Sequence, residues 1–235
     1  MKIAVRGGHN PGATGAKALI DELTEDRKVK DSLIKYLKSL GHSVLDVTPT
    51  TNMSSSNDLA YGVNKANNWG ADLFVSIHFN KAYDSYNGAL GSEVCVYKEN
   101  VTAKRVVDKL GKLGFKNRGQ KIRTNLYELK HTNMSSMIVE VCFVEATKDV
   151  ELYKKLGYDA IGKAIAEAIA NKTITTSNTL KIGDIVTITG NTYATGQPIS
   201  DWAKKQKHTI SKIDKDRALL KEINSWCYLK DLKKA

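Results

Sequence analysis

Two histidines close short apolar runs in this chain, and that arrangement limits its possible folds more than any other feature. The first run is Lys2-Ile-Ala-Val-Arg-Gly-Gly-His9, and the second is Asp72-Leu-Phe-Val-Ser-Ile-His78-Phe-Asn80. Short apolar runs bounded by Gly and polar residues read as strands buried on both faces. Such strands belong to α/β proteins, where ligands sit in the crevice beyond the strands' carboxyl ends. Two imidazoles delivered to one rim are half of a metal site. A third run, Met137-Ile-Val-Glu140-Val-Cys-Phe-Val144, sets an acid inside an otherwise apolar strand. Burying a carboxylate is costly unless it is paired or functional, so Glu140 needs a role. Together these residues point to a zinc hydrolase.

The segments between the runs carry helical spacing. Val29, Leu33, Leu37 and Leu40 form one stripe over residues 22–40, and Gly41 stops it before a strand at 42–47. A second helix runs through Leu59, Val63, Ala66 and Trp69 and ends at Gly70. Residues 92–97 read as a strand, 101–113 as a helix, and 117–127 as a basic loop leading to a short strand. A last helix spans 150–170. This alternation predicts an α/β fold, a mostly parallel twisted sheet flanked by helices. Residues 175–179 (Thr-Thr-Ser-Asn-Thr) read as a linker between domains at 1–174 and 180–235. The second shows period-two runs and Gly, Asn and Asp turns, which predict a small all-β module. Trp226 is expected in its core.

Charge narrows the partners. The net charge is +11, and eleven basic against six acidic residues from position 180 onward leave about +5 on the small module. The lysines are scattered without interleaved aromatics, which argues against nucleic acid and suits an anionic polymer such as a bacterial envelope. No apolar run approaches the length of a membrane span, so membrane insertion is not expected. The N-terminal residues enter a strand directly, without the apolar segment of a signal peptide. This predicts a protein held in the cytoplasm until another agent releases it. Cys95, Cys142 and Cys227 have neither disulfide nor zinc-finger spacing. His42 and His208 read as structural or exposed, and His131 lies in a polar stretch.

A catalytic zinc takes three protein ligands and keeps a fourth position open. The acids within reach of the first strand are Asp21, Glu22, Glu25 and Asp26. Acids in a first helical turn also complement the helix dipole, and the pattern alone does not choose among them.

The sequence resembles the zinc-dependent N-acetylmuramoyl-L-alanine amidases (the Amidase_3 family) of bacterial autolysins and phage endolysins. The matching pieces are Gly8-His9 followed by Pro-Gly-Ala, the acid-led first helix, Ser76-Ile-His78-Phe-Asn80, Gly91-Ser-Glu-Val-Cys-Val-Tyr97, Asn117-Arg118-Gly119 and Val139-Glu140-Val-Cys-Phe143. They follow the family's order across nearly all of residues 1–170. The resemblance implies Zn²⁺ held by His9, Glu22 and His78. In the family the glutamate stands about nineteen residues before the glycine that ends the helix, and counting back from Gly41 gives Glu22. Glu25 is the reserve, and Asp26 stands where the family has Asn. Glu140 is then the catalytic acid–base group, and Arg118 or Arg123 would contact the substrate's carboxylates or carbonyl oxygen.

The C-terminal module resembles the SH3-like cell-wall-binding domains of lysins in position, size and its ending Ser225-Trp-Cys-Tyr-Leu. Trp202 and Tyr193 are its candidate wall-binding residues. The resemblance implies a peptidoglycan hydrolase cutting between N-acetylmuramic acid and L-alanine, of the endolysin type. The alternatives are another zinc peptidase or amidohydrolase on this scaffold, and a non-catalytic wall-binding protein.

Overall fold

The computed structural model describes residues 1–174 and 180–235; the expected linker at 175–179 lies outside the described residues. The chain divides into two compact units, Met1–Ile174 and a second that runs to Ala235.

The first unit is a six-stranded sheet of β1 (Lys2–Gly7), β2 (Ser43–Asp46), β3 (Leu73–Asn80), β4 (Ser92–Val96), β5 (Asn117–Ile122) and β6 (Ser135–Phe143), in the order β2-β1-β3-β6-β4-β5. Its helices are α1 (Glu22–Ser39), α2 (Ser55–Trp69), α3 (Val101–Lys112), α4 (Tyr127–His131), α5 (Thr147–Leu156) and α6 (Tyr158–Ala170). Local signals set their ends. The Asp21 carboxylate caps α1 by accepting the Thr24 N–H, Ser54 caps α2 through Asn57, and Gly70 closes α2 in the left-handed region at φ 65°.

Strand alternation sorts the side chains onto two faces. Ile3, Val5, Val75, Ile77, Met137, Val139 and Val141 join the main core with Val29, Leu33 and Leu37 of α1 and Ile161 and Ile165 of α6. Ala4 and Phe74 point to the other face, where they pack with Val47 and with Ala66 of α2. Along that second face the strands turn polar toward their carboxyl ends, through Arg6, Ser76, His78 and Glu140.

The sheet is mixed. β1, β2, β3 and β6 are parallel, but β4 pairs antiparallel with β6 and parallel with β5. The reason lies in residues 81–91, which contain no helix. A parallel return needs a crossover of a dozen or more residues, usually helical, so β4 returns in the direction opposite to β3 and pairs with the far edge of β6. The amino ends of β4 and β5 therefore reach the same rim as the carboxyl ends of β1, β3 and β6.

Other local expectations change. Residues 117–122, read as a loop, form edge strand β5, and 127–131 are helical. The helix expected over 150–170 is two helices, broken at Gly157 with φ 78°.

The second unit is a five-stranded antiparallel sheet. It contains β7 (Ile185–Ile188), β8 (His208–Asp214), β9 (Arg217–Leu220), β10 (Ser225–Tyr228) and β11 (Leu232–Lys234), ordered β10-β9-β8-β7-β11, with a short helix α7 (Asp201–Lys205). Val186, Ile188, Ile210, Leu220 and Cys227 lie in its core. Cys227 takes the inward position on β10, so the neighbouring Trp226 is only half-buried, with the Arg217 guanidinium over its ring. Among the described residues no helix is long and apolar enough to cross a membrane.

Candidate active site

His9, Glu22 and His78 converge at the rim where β1 and β3 end. His78 is the sixth residue of β3 and lies directly opposite Glu140 of β6, which in turn faces Glu93 of β4. Directly opposed residues have Cβ atoms about 5 Å apart, so one cross-strand row carries an imidazole and two carboxylates. His9 follows β1 in the left-handed region at φ 61°, an uncommon conformation for a residue with a side chain. Arg27 of α1 holds this turn, with Nη1 donating to the Gly8 carbonyl at 2.6 Å and Nη2 to the His9 carbonyl at 2.7 Å.

Glu22 is the first residue of α1. The Ala16 N–H donates to its Oε2 at 2.7 Å and the Phe79 N–H to its Oε1 at 3.0 Å. That fixed Oε1 lies 3.2 Å from His9 Nε2 and 3.1 Å from His78 Nδ1. Burial would raise the Glu22 pKa, but the two imidazoles hold it well below the usual carboxylate range. Burial would likewise lower that of His78, yet the Glu22 hydrogen bond and the charges of Glu140 and Glu128 lift it to about 9.

The donor set fits a small cation. Ligands about 2.0–2.1 Å from a tetrahedral Zn²⁺ lie about 3.3 Å from one another, close to the two separations seen here. The surround is shaped to match. A Cβ at Gly8 would overlap the His78 ring, and one at Gly15 would lie 2.5 Å from both Glu22 Oε2 and His9 Cδ2. Glu25, the reserve ligand, faces elsewhere, accepting from the Tyr153 hydroxyl at 2.7 Å and pairing with Lys28 at 2.8 Å. Asp26 is buried beside Arg27 at 2.6 Å, and burial pushes its carboxyl to about 8 against the pull of that guanidinium.

Glu140 projects from β6 with Oε2 buried and unpartnered. Burial, with the nearby carboxylates Glu22, Glu93 and Glu128 and against the attraction of His78, raises its pKa to about 7. Such a group can take and release a proton near neutral pH.

The two arginines part company. Arg118 lies at the amino end of β5, on the site's rim. Its Nε is 2.7 Å from Glu93 Oε2, and its guanidinium lies over the Phe143 ring at 5.0 Å. Asn80 Nδ2 donates to the other Glu93 oxygen at 3.2 Å. Arg123 follows the carboxyl end of β5, where its N–H donates to the Val96 carbonyl. Val96 pairs with Met137, three residues from the Glu93–Glu140 pair. That is about 10 Å along the strands, toward the opposite rim. The expectation for Arg123 is therefore corrected: the reversal of β4 and β5 carries it away from the site. Glu93 and Arg27 were not singled out from the sequence. The polar positions on one face of the apolar runs were a usable signal for Glu93, whereas nothing local marked Arg27.

In the second unit, Trp202 on α7 is 63% exposed, and Tyr193 is half-buried against the core. Tyr193 thus spends part of its ring on packing.

Comparison with known proteins gives a consistent result. The profile of the N-acetylmuramoyl-L-alanine amidase family matches residues 3–171. An uncharacterised protein of Clostridium perfringens is 54% identical over 179 residues, covering 74% of this chain and 53% of its own. The N-acetylmuramoyl-L-alanine amidase CwlM of Bacillus licheniformis is 29% identical, over 73% of this chain and 66% of its own. Among solved structures, the catalytic domain of the CD27L endolysin targeting Clostridium difficile superposes with a TM-score of 0.68 at 30% identity. That match covers 74% of this chain and 99% of the other. The chain spans about half the length of the two C. perfringens relatives it matches, 53% and 51%.

Proposed function

The chain belongs to the N-acetylmuramoyl-L-alanine amidase family through residues 3–171, and we propose that it is a zinc-dependent peptidoglycan amidase of the endolysin type. The observation that carries the reading is the convergence of His9, Glu22 and His78 beside the unpartnered oxygen of Glu140.

In this reading His9 Nε2, Glu22 and His78 Nδ1 hold the zinc. When bound, zinc supplies a Lewis acid that polarises the scissile amide and makes water a better nucleophile near neutral pH. Glu140 takes the proton from the attacking water and delivers it to the leaving amine of L-alanine. The C–N bond breaks as the new C–O bond leaves a carboxyl on the muramoyl lactyl group. The buried Glu93 carboxylate holds the Arg118 guanidinium at the rim, where it meets a carboxylate or carbonyl of the stem peptide.

The second unit, 180–235, acts as a wall-binding module in this account, and its five antiparallel strands are compatible with an SH3-like domain. Support comes from its charge of about +5 and from the exposed Trp202. An aromatic ring held out into water with a basic surround suits an anionic, sugar-rich polymer. The endolysin assignment draws on the likeness to the CD27L catalytic domain. It implies action on the host's wall after release through the membrane.

Mass spectrometry of muropeptides released from purified walls tests the reading. Intact stem peptides with free L-alanine amino termini are the expected products. New termini inside the stem would replace the amidase with a peptidase on the same scaffold, and no release by a zinc-loaded protein would leave only wall binding.

A further inference from the structure

Beneath the His9–Glu22–His78 cluster, on the same sheet face, lies a buried polar layer that the amidase reading leaves unused. Ser76 sits two residues before His78 and so shares its face. The Ser76 Oγ lies 3.0 Å from His78 Nε2 and donates to Glu128 Oε1 at 3.4 Å. Glu128, on the single-turn helix α4, also pairs through Oε1 with Arg6 Nη1 at 3.0 Å. Behind them, Arg6 Nη2 reaches Asp58 Oδ1 at 2.6 Å, and Asn10 Nδ2 donates to Asp58 Oδ2 at 3.0 Å. Arg6 and Glu128 are 1% and 2% exposed. We propose that Ser76 and Glu128, backed by Arg6, are positioning residues that hold the His78 ring with its Nδ1 turned toward the metal. The proposal rests on the zinc reading above.

Taking charges out of water costs more than their attraction commonly returns, so apolar residues of similar volume are often as stable. Two residues back on the same face the sheet does use apolar residues, Ala4 and Phe74, packed with Val47 and Ala66. A guanidinium and two carboxylates directly beneath a candidate ligand are therefore not explained by packing. They also leave one uncompensated negative charge on the side of the ring away from Glu22.

A carboxylate only accepts, and a serine hydroxyl has one proton to give. With that proton on Glu128, the Ser76 oxygen can meet Nε2 only as an acceptor. Nε2 of a neutral His78 must then carry the ring hydrogen, which leaves the Nδ1 lone pair facing Glu22 and His9. Metal-bound histidines generally donate their second ring N–H to an oxygen, which fixes tautomer and orientation. Here a hydroxyl relays that bond to the carboxylate.

The test uses the full chain stripped of metal, with Ser76→Ala and Glu128→Gln as variants. Zinc affinity is read by competition with a chromophoric chelator, folding by the Tm of the metal-free protein, and ligand geometry by the visible spectrum of the cobalt-substituted form. Loss of such a partner costs metal sites about 10–100-fold in affinity. Ser76→Ala is expected to bind zinc that much more weakly and to shift the cobalt bands while its metal-free Tm moves little. Glu128→Gln is expected to follow in the same direction; should it fail to fold, Ser76→Ala decides alone. Zinc affinity and cobalt spectrum unchanged in Ser76→Ala, whatever its Tm, would overturn the positioning role and leave the metal site standing. A wild-type protein that binds no zinc would overturn the metal-site reading and the positioning role with it.

Discussion

Zinc binding should be strongly coupled to protons, and the size of the coupling follows from the His78 surroundings. In the metal-free protein the carboxylates around His78 lift its pKa to about 9. A metal needs the neutral ring, so loading must first remove that proton. At pH 7, two units below about 9, only about one ring in a hundred is neutral, and apparent zinc affinity should lie about 100-fold below its alkaline limit. The sign is set by the raised pKa. Affinity climbs about tenfold per pH unit up to about pH 9 and falls as the solution is acidified. Calorimetry at pH 7 in two buffers of different ionisation heat should report at least about one proton released per zinc. Glu140, poised at about 7, would add up to about half a proton as the nearby dication draws it into its ionised form. Chelator competition from about pH 6.5 to 8.5 supplies the slope independently. A flat affinity across that range, or clearly less than one proton released, would refute the argument. His78 would then not be a protonated group that zinc displaces.

Three further expectations can be checked directly. Glu140→Gln should keep its zinc and its fold but lose about 10²–10⁴-fold in wall hydrolysis, the usual contribution of general acid–base assistance; turbidity loss of purified walls beside metal analysis reads both. Gly15→Ala combines a φ of 75° with a Cβ that would crowd Glu22 and His9, whereas Gly119→Ala has a φ of 76° but open space around it. Gly119→Ala should lose about 1–2 kcal/mol of stability in denaturant titrations and Gly15→Ala more than that, while only Gly15→Ala should weaken zinc binding, by more than about tenfold. Arg118→Ala should raise KM for soluble muropeptides with zinc retained and Arg123→Ala should not; equal effects would remove Arg118 from the substrate rim.

Much of the fold was legible because its signals are local. Apolar runs of strand length gave β1, β3 and β6, with His78 near the end of one and Glu140 inside another, and the register of β3 against β6 then set the two side by side. Gly41 and Gly70 gave the carboxyl-terminal limits of α1 and α2. Trp226 stands outside the core, against expectation, because Trp226 and Cys227 are both apolar and hydrophobicity does not set the inward phase of β10.

What the chain's own order determined, then, was which segments are strands and which residues stand at their ends. Tertiary structure alone decided which of those residues meet. Glu22 and Glu25 are equivalent in composition and lie in the same first turn. The rotation of α1 against the sheet aims one at the histidines and the other at Tyr153. Arg118 and Arg123 belong to one basic segment that forms β5 and stand at its two ends, and the reversal of β4 and β5 decides that the Arg118 end is the one at the site. Glu128 carries no local mark, since one helical turn shows too little periodicity to reveal a buried face. It joins Arg6 and Ser76 only because α4 lies on β6. In each case the deciding contact joins residues far apart in sequence, and short-range spacing carries no information about which distant partner closes it.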